Sequence, residues 1–235
     1  MHEDRGRGYF MESDLRRGLN LSRSLSGVFG LMFLGLLASA FSAFFTLSSP
    51  FMSQLVFGSE WGFWAFLLAP ILLVIFAFPR VWNMSMAGGC LLFFVYALIN
   101  GVTLSVIFLA YDMGTITLAF LSAAGMFGVM ALYGVLTKSD LSGVGSFLIM
   151  GLFGVIIATV INLFLASSML DAVISYAGIA IFLGLTAYDV QRIRRMANEQ
   201  PHLSNTGVMV LGALHLYLNF INIFLFILRL MARRR

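Results

Sequence analysis

The sequence predicts an all-α integral membrane protein of seven spanning helices. Three observations predict it. Hydrophobic residues make up 60% of the 235-residue chain and charged residues only 10%, against about 25% charged in a typical soluble domain. The mean hydropathy is +0.97. Seven apolar runs approach the roughly 20 residues that one helical crossing needs. Too little polar surface exists to cover a soluble globule of this size, and runs this long lack the two-residue alternation of a membrane β-barrel.

The runs cover about 24–46, 62–78, 87–110, 116–136, 144–166, 172–188 and 207–230. Turn chemistry separates them. Ser48-Ser49-Pro50 ends the first and Pro79-Arg80 the second. Tyr111 to Gly114, then Lys138-Ser139-Asp140, then Ser167, Ser168 and Asp171 mark the later breaks. No linker is long enough to separate two domains, so the chain divides into a polar leader, 1–23, and a seven-helix domain, 24–235. The leader carries arginine, and the first apolar run is too long for a signal-peptide core, so it reads as an anchor that stays. Cys90 stands alone in an apolar stretch, with neither a disulfide partner nor a metal-ligand cluster.

The basic residues border the apolar runs, which points to topology and lipid headgroups rather than nucleic acid. With a cytoplasmic N-terminus, Arg5, Arg7, Arg16, Arg17 and Arg23 lie inside, as do Arg80, Lys138, Arg192, Arg194 and Arg195. Only Arg229, Arg233, Arg234 and Arg235 then fall outside. Either those four are tolerated there, or the last segment does not fully cross; seven crossings is the expectation taken.

Ionisable residues inside a span are expensive and point to function. Asp189 is the foremost, in Thr186-Ala187-Tyr188-Asp189-Val190-Gln191 at the expected end of the sixth helix. The plain alternative is a solvated helix-end carboxylate paired with Arg192. On the seventh helix, His215, Asn219 and Asn222 share one face, and Arg229 falls near it. Such a stripe cannot face lipid, so the seventh helix is expected at the centre of the bundle. The plain alternative for the asparagines is interhelical hydrogen bonding. Gly151, Gly154, Ala158 and Asn162 on the fifth helix, and Gly125 and Gly128 on the fourth, read as small residues for close packing. Tyr96, Asn100 and Thr103 form a weaker polar stripe on the third. Neither a zinc-protease motif, a nucleophile elbow nor a Walker loop occurs, and the only lysine, Lys138, lies in a loop. The expectation is a protein without enzymatic activity or cofactor.

Three stretches together resemble the Bax inhibitor-1 family: LYGVLTKSDLSGVGSFLIMGLFGVIIATVINLFL at 132–165, YAGIAIFLGLTAYDVQRI at 176–193 and LGALHLYLNFINIFLFILRL at 211–230. The resemblance extends weakly back through the first helix and agrees with bacterial members in order and spacing. It implies seven helices with the seventh wrapped by the other six, and a pH-sensitive calcium leak in a bacterial inner membrane. It also implies a pair of aspartates sharing a proton between the sixth and seventh helices. The first matches Asp189, with a transient calcium contact there. The second position is Asn219, in Leu216-Tyr217-Leu218-Asn219-Phe220. Asparagine cannot titrate but can donate a hydrogen bond to Asp189; His215, one turn earlier, is the alternative titrating group. Two other functions remain open: a non-conducting regulatory protein that binds a membrane partner such as a quality-control protease, and a proton-coupled transporter of a small solute.

Overall fold

The computed structural model describes residues 3–199 and 205–232, with side chains from 24 to 197 and from 206 to 232. The described residues form nine α-helices: α1 (Glu3–Ser48), α2 (Pro50–Phe57), α3 (Glu60–Leu72), α4 (Met86–Leu104), α5 (Val106–Ala110), α6 (Met113–Leu136), α7 (Ser142–Leu165), α8 (Ser168–Glu199) and α9 (Asn205–Ala232). They provide seven spans, Ser24–Ser48, Glu60–Asn83, Met86–Ala110, Met113–Leu136, Ser142–Leu165, Ser168–Ala197 and Thr206–Ala232. The predicted all-α membrane fold is therefore the observed one. The backbone of the predicted leader continues the first span, because α1 begins at Glu3.

Short polar side chains start several of these helices. Ser59, Ser85 and Asp112 accept hydrogen bonds from the backbone N–H groups of Gly62, Gly88 and Thr115, satisfying donors that a first helical turn leaves open. The second span is irregular: α3 passes into a π turn, Leu73–Ala77, and a 3-10 turn, Phe78–Asn83. Pro70 lies inside α3 and offers no N–H to the carbonyl four residues back. That carbonyl, on Phe66, instead accepts the Thr103 hydroxyl of α4 at 2.8 Å, so the gap in one span becomes a tie to its neighbour.

The seventh span is the best buried, with 67% of its apolar window inside the protein against 39% or less for each other span. Helix α9 packs on α1, α4, α6, α8 and the 3-10 turn of the second span. Tyr217 is fully buried there, edge-on to Phe93 and Tyr96 with ring centroids 5.8 Å away in both cases. Its hydroxyl accepts from Asn100 Nδ2 at 2.7 Å and pairs with Ser39 Oγ at 2.7 Å, while Ser39 also donates to the Ala97 carbonyl. One side chain of α9 thus joins α1 and α4. The expectation that all six other spans wrap α9 needs correction at the fifth. Helix α7 packs on α8, and a cavity stands between α7 and α9.

The glycines that share faces on α6 and α7 are mostly uncovered within the chain. A Cβ at Gly125, Gly128 or Gly154 would meet nothing within 4 Å, and only Gly151 faces a neighbour closely, Ile181 at 3.1 Å. Close crossings occur elsewhere. Gly101 lies against the backbone of Ser39, and a Cβ on Gly134 would stand 2.5 Å from the Ala187 carbonyl oxygen. Gly145 receives the Tyr188 ring. Sequence spacing shows that small residues share a face, but not whether the face meets a helix or lipid.

Gly134→Val should lower stability in detergent by about 1–3 kcal/mol, the usual range for overpacking. Gly125→Val and Gly128→Val should be near neutral. Thermal unfolding of the three variants checks the ranking.

Candidate functional site

Helix α8 continues ten residues beyond Asp189, to Glu199, so the predicted helix end at this carboxylate is corrected. Residues 190–197 stay helical because glutamine, arginine and methionine are good helix formers and because they bind the loop ahead of α7. Gln191 Nε2 donates to the Ser139 carbonyl at 2.8 Å, and its Oε1 accepts the Leu141 N–H at 2.9 Å. Arg194 donates to the Val135 carbonyl and Arg195 to Asp140, at 2.6 and 2.7 Å. Gln191, Arg194 and Arg195 form a clasp holding the end of α6 and the loop ahead of α7 to α8.

That clasp has an electrostatic signature. Asp140 is held at about 2, chiefly by the Arg195 hydrogen bond and then by the Ser142 N–H. Its ordinary value is about 3.9. A lowered carboxylate contributes stability above the unfolded value and loses it as pH falls through the folded one. The contribution is therefore complete above about pH 4 and lost toward about pH 2.

Inside the clasp, Asp189 is 8% exposed and Asn219 is 5% exposed. Asn219 Nδ2 donates to Asp189 Oδ2 at 2.7 Å, which binds α8 to α9 where both helices are buried. Asp189 Oδ1 faces His215 Nδ1 at 3.9 Å, and the histidine side chain is 43% exposed. That distance exceeds hydrogen-bond length, so the amide holds the carboxylate and the imidazole only faces it.

These groups open on a cavity of about 580 Å³ between α7, α8 and α9. Asp189, Arg192, His215, Asn219 and Asn222 line one wall, and aliphatic side chains of α7 line the opposite wall. The predicted stripe on α9 is only partly enclosed. Asn219 turns to α8, whereas His215, Leu218, Asn222 and Arg229 lie along the half-exposed line of the helix. Asn222 Nδ2 donates back to the Leu218 carbonyl at 2.8 Å. Arg229 is apart from the cavity wall, bonded to Asp171 Oδ1 at 3.2 Å and stacked over Phe226. Tyr96, Asn100 and Thr103 likewise divide their roles: Asn100 bonds Tyr217 and Thr103 bonds Phe66.

Among the described residues no group of three or more His, Cys, Asp or Glu side chains could hold a metal ion. Asp189 can therefore offer a passing cation one carboxylate oxygen pair, but not a closed cage. Two residues important to this arrangement were missed in the sequence. Gln191 was hidden among arginines, and Tyr217 was named only as part of the Leu216–Phe220 stretch; its neighbours in the sequence carry no signal that the hydroxyl is committed.

A seven-span helical protein with a buried carboxylate between its last two spans is thus defined by fold and site. The chain belongs to the Bax inhibitor-1 family: residues 21–235 match the family model described as inhibitor of apoptosis-promoting Bax1. It is similar to the inner membrane protein YbhL of Escherichia coli strain K12, 39% identical over 219 residues, or 92% of this chain and 93% of that one. It is also similar to an uncharacterized protein of Borreliella burgdorferi, 41% identical over 217 residues, or 91% of this chain and 93% of the other.

Two outcomes follow from the site. Asn219→Ala leaves a buried carboxylate without its donor and should cost about 1.5–3 kcal/mol, the range for a hydrogen bond to a charged group; unfolding in detergent measures it. Asp140→Asn should shift the melting temperature by the same amount at pH 8 and pH 5. Its difference from the native chain should close only below about pH 4, as the native ion pair is lost.

Proposed function

We propose that this chain is a multi-pass protein of the bacterial inner membrane, N-terminus in the cytoplasm, that leaks calcium through a gate containing Asp189. The observation that carries the reading is the placement of this carboxylate, buried between α8 and α9 yet lining a cavity of about 580 Å³. Calcium seeks hard oxygen ligands, and among the described residues Asp189 is the only acidic one lining that cavity. Arg192 shares the wall, and its positive charge keeps any cation's stay short; conduction requires binding weak enough to release. The Asn219 amide competes with calcium for the same carboxylate, so engagement of a cation loosens the α8–α9 tie. Orientation rests on the basic residues: ten of the fourteen fall inside when the N-terminus is cytoplasmic. The name of the Escherichia coli relative supports the inner membrane. No enzymatic step forms part of the proposal.

A second reading has its own support. Gly125, Gly128 and Gly154 leave open space on the outside of α6 and α7, where the helix of another membrane protein could approach closely. On that reading the chain conducts nothing and regulates a partner such as a quality-control protease.

Purified protein in liposomes loaded with a calcium dye separates the two. On the leak reading, Asp189→Ala reduces flux by roughly tenfold or more, since a close charge pair is worth several kcal/mol at partly buried sites. Asp112→Ala and Asp171→Ala then have much smaller effects. Absence of flux from the native chain at every pH favours the partner reading. A pH series adds the switch. Asn219→Asp sets two carboxylates in contact that share a proton, so its flux should respond to acid more strongly near neutral pH than that of the native chain. Loss of a native response in His215→Ala would assign the sensing to the histidine.

A further inference from the structure

A second cavity, of about 380 Å³, lies between the second span, α4 and α9. It meets the Asp189 cavity along α9, because Leu218 and Asn222 line both. Its chemistry differs. Among the described residues no charged side chain lines it. The second span contributes an aliphatic wall that includes Leu67, Ile71 and Ile75, and the facing wall carries Tyr96, Asn100, Thr103 and Asn222. A largely apolar wall with a few convergent polar groups is the make-up of a small-molecule pocket.

The hydrogen-bonding capacity left over on that wall is specific. Thr103 is committed to the Phe66 carbonyl, the Asn100 amide nitrogen to Tyr217, and the Asn222 amide nitrogen to the Leu218 carbonyl. What remains is the second N–H of each amide, which donates, the two amide oxygens, which accept, and the Tyr96 hydroxyl, which does either. Tyr96 is 2% exposed, its ring fixed edge-on against Phe78 and Tyr217. Its hydroxyl bonds to nothing among the described residues, where every fully shielded side-chain N or O atom has a partner. That hydroxyl therefore opens on the cavity it lines.

These features select a ligand class. An ion would meet no countercharge and would lose its hydration. A pure hydrocarbon would leave the hydroxyl and both amide oxygens unpaired. A head with carbonyls alone could accept from Tyr96 but could give nothing to the amide oxygens. A free hydroxyl can do both. The volume equals roughly a dozen waters at about 30 Å³ each, room for a glycerol head and the first carbons of its chains. The cavity lies within the spans, so its ligand arrives through the bilayer. We propose that it binds an uncharged lipid with a free hydroxyl head, of the diacylglycerol class.

The test uses the native chain in phospholipid nanodiscs with photoactivatable dioctanoylglycerol. Crosslinks are expected in the second span, α4 and α9. Unlabelled dioctanoylglycerol should compete, and its hydroxyl-acetylated analogue should compete roughly fivefold less well, as for the loss of one neutral hydrogen bond. Tyr96→Phe should weaken both competitors alike while melting close to the native chain, and replacing both amides, Asn100→Leu with Asn222→Leu, should erase the preference for the free hydroxyl. Equal competition by the acetylated analogue on the native chain overturns the proposal without any variant. So do crosslinks confined to other spans, or a hydroxyl preference that survives replacement of both Asn100 and Asn222 by leucine. None of these readouts involves calcium, so the result stands whether or not the chain conducts.

Discussion

A carboxylate in a low-dielectric interior must find a donor or a countercharge, because hydration is the alternative it has lost. Asp189 finds the Asn219 amide at 2.7 Å, and much of the arrangement around it follows from that contact. It holds α8 against α9 at a depth where aliphatic packing alone would leave their register free. The acceptor must be met by the amide nitrogen rather than the amide oxygen, which sets the rotamer of Asn219. The remaining polar groups of α9, His215 and Asn222, then fall on the line of the helix that α7 leaves uncovered. The cavity and the buried carboxylate are thus two sides of one geometry.

Close helix crossings make that geometry rigid elsewhere. Gly101 seats α4 against the backbone of α1, Gly134 seats α6 against α8 beside Ala187, and Gly145 seats α7 against Tyr188. Ala187 and Tyr188 immediately precede Asp189, so two of the three contacts fix the turn that presents the carboxylate. The clasp from Gln191, Arg194 and Arg195 fixes the turn that follows it. At the opposite end of α8, Asp171 bonds Arg229. Helices α8 and α9 are therefore tied by polar contacts at Asp189–Asn219 and at Asp171–Arg229, with the cavity along the face between them and α7.

The seven spans were legible because apolar length is nearly sufficient to define a crossing. Asp189 and Asn219 were legible because polar residues inside such runs are few. Other features were not, for identifiable reasons. The end of the sixth helix was misplaced because a run of arginines ends the hydropathy signal but not the helix. Gly125, Gly128 and Gly154 meet nothing within the described residues, and a shared face in the sequence does not reveal what it faces. The uncovered line on α9 was invisible because it depends on where α7 stands, which is decided by packing on α8. Tyr217 and Gln191 make long-range hydrogen bonds whose partners, Ser39, Asn100 and Ser139, are distant in sequence.

In the proposed leak, calcium meets the Asp189 carboxylate. Infrared difference spectra of the reconstituted protein, calcium minus magnesium, report carboxylate coordination directly, and Asp189→Asn assigns the band. The expected result is a calcium-dependent shift of a carboxylate stretch that is absent from Asp189→Asn and retained in Asp112→Asn. A native chain with no calcium-dependent carboxylate band, or a band that persists in Asp189→Asn, would contradict it.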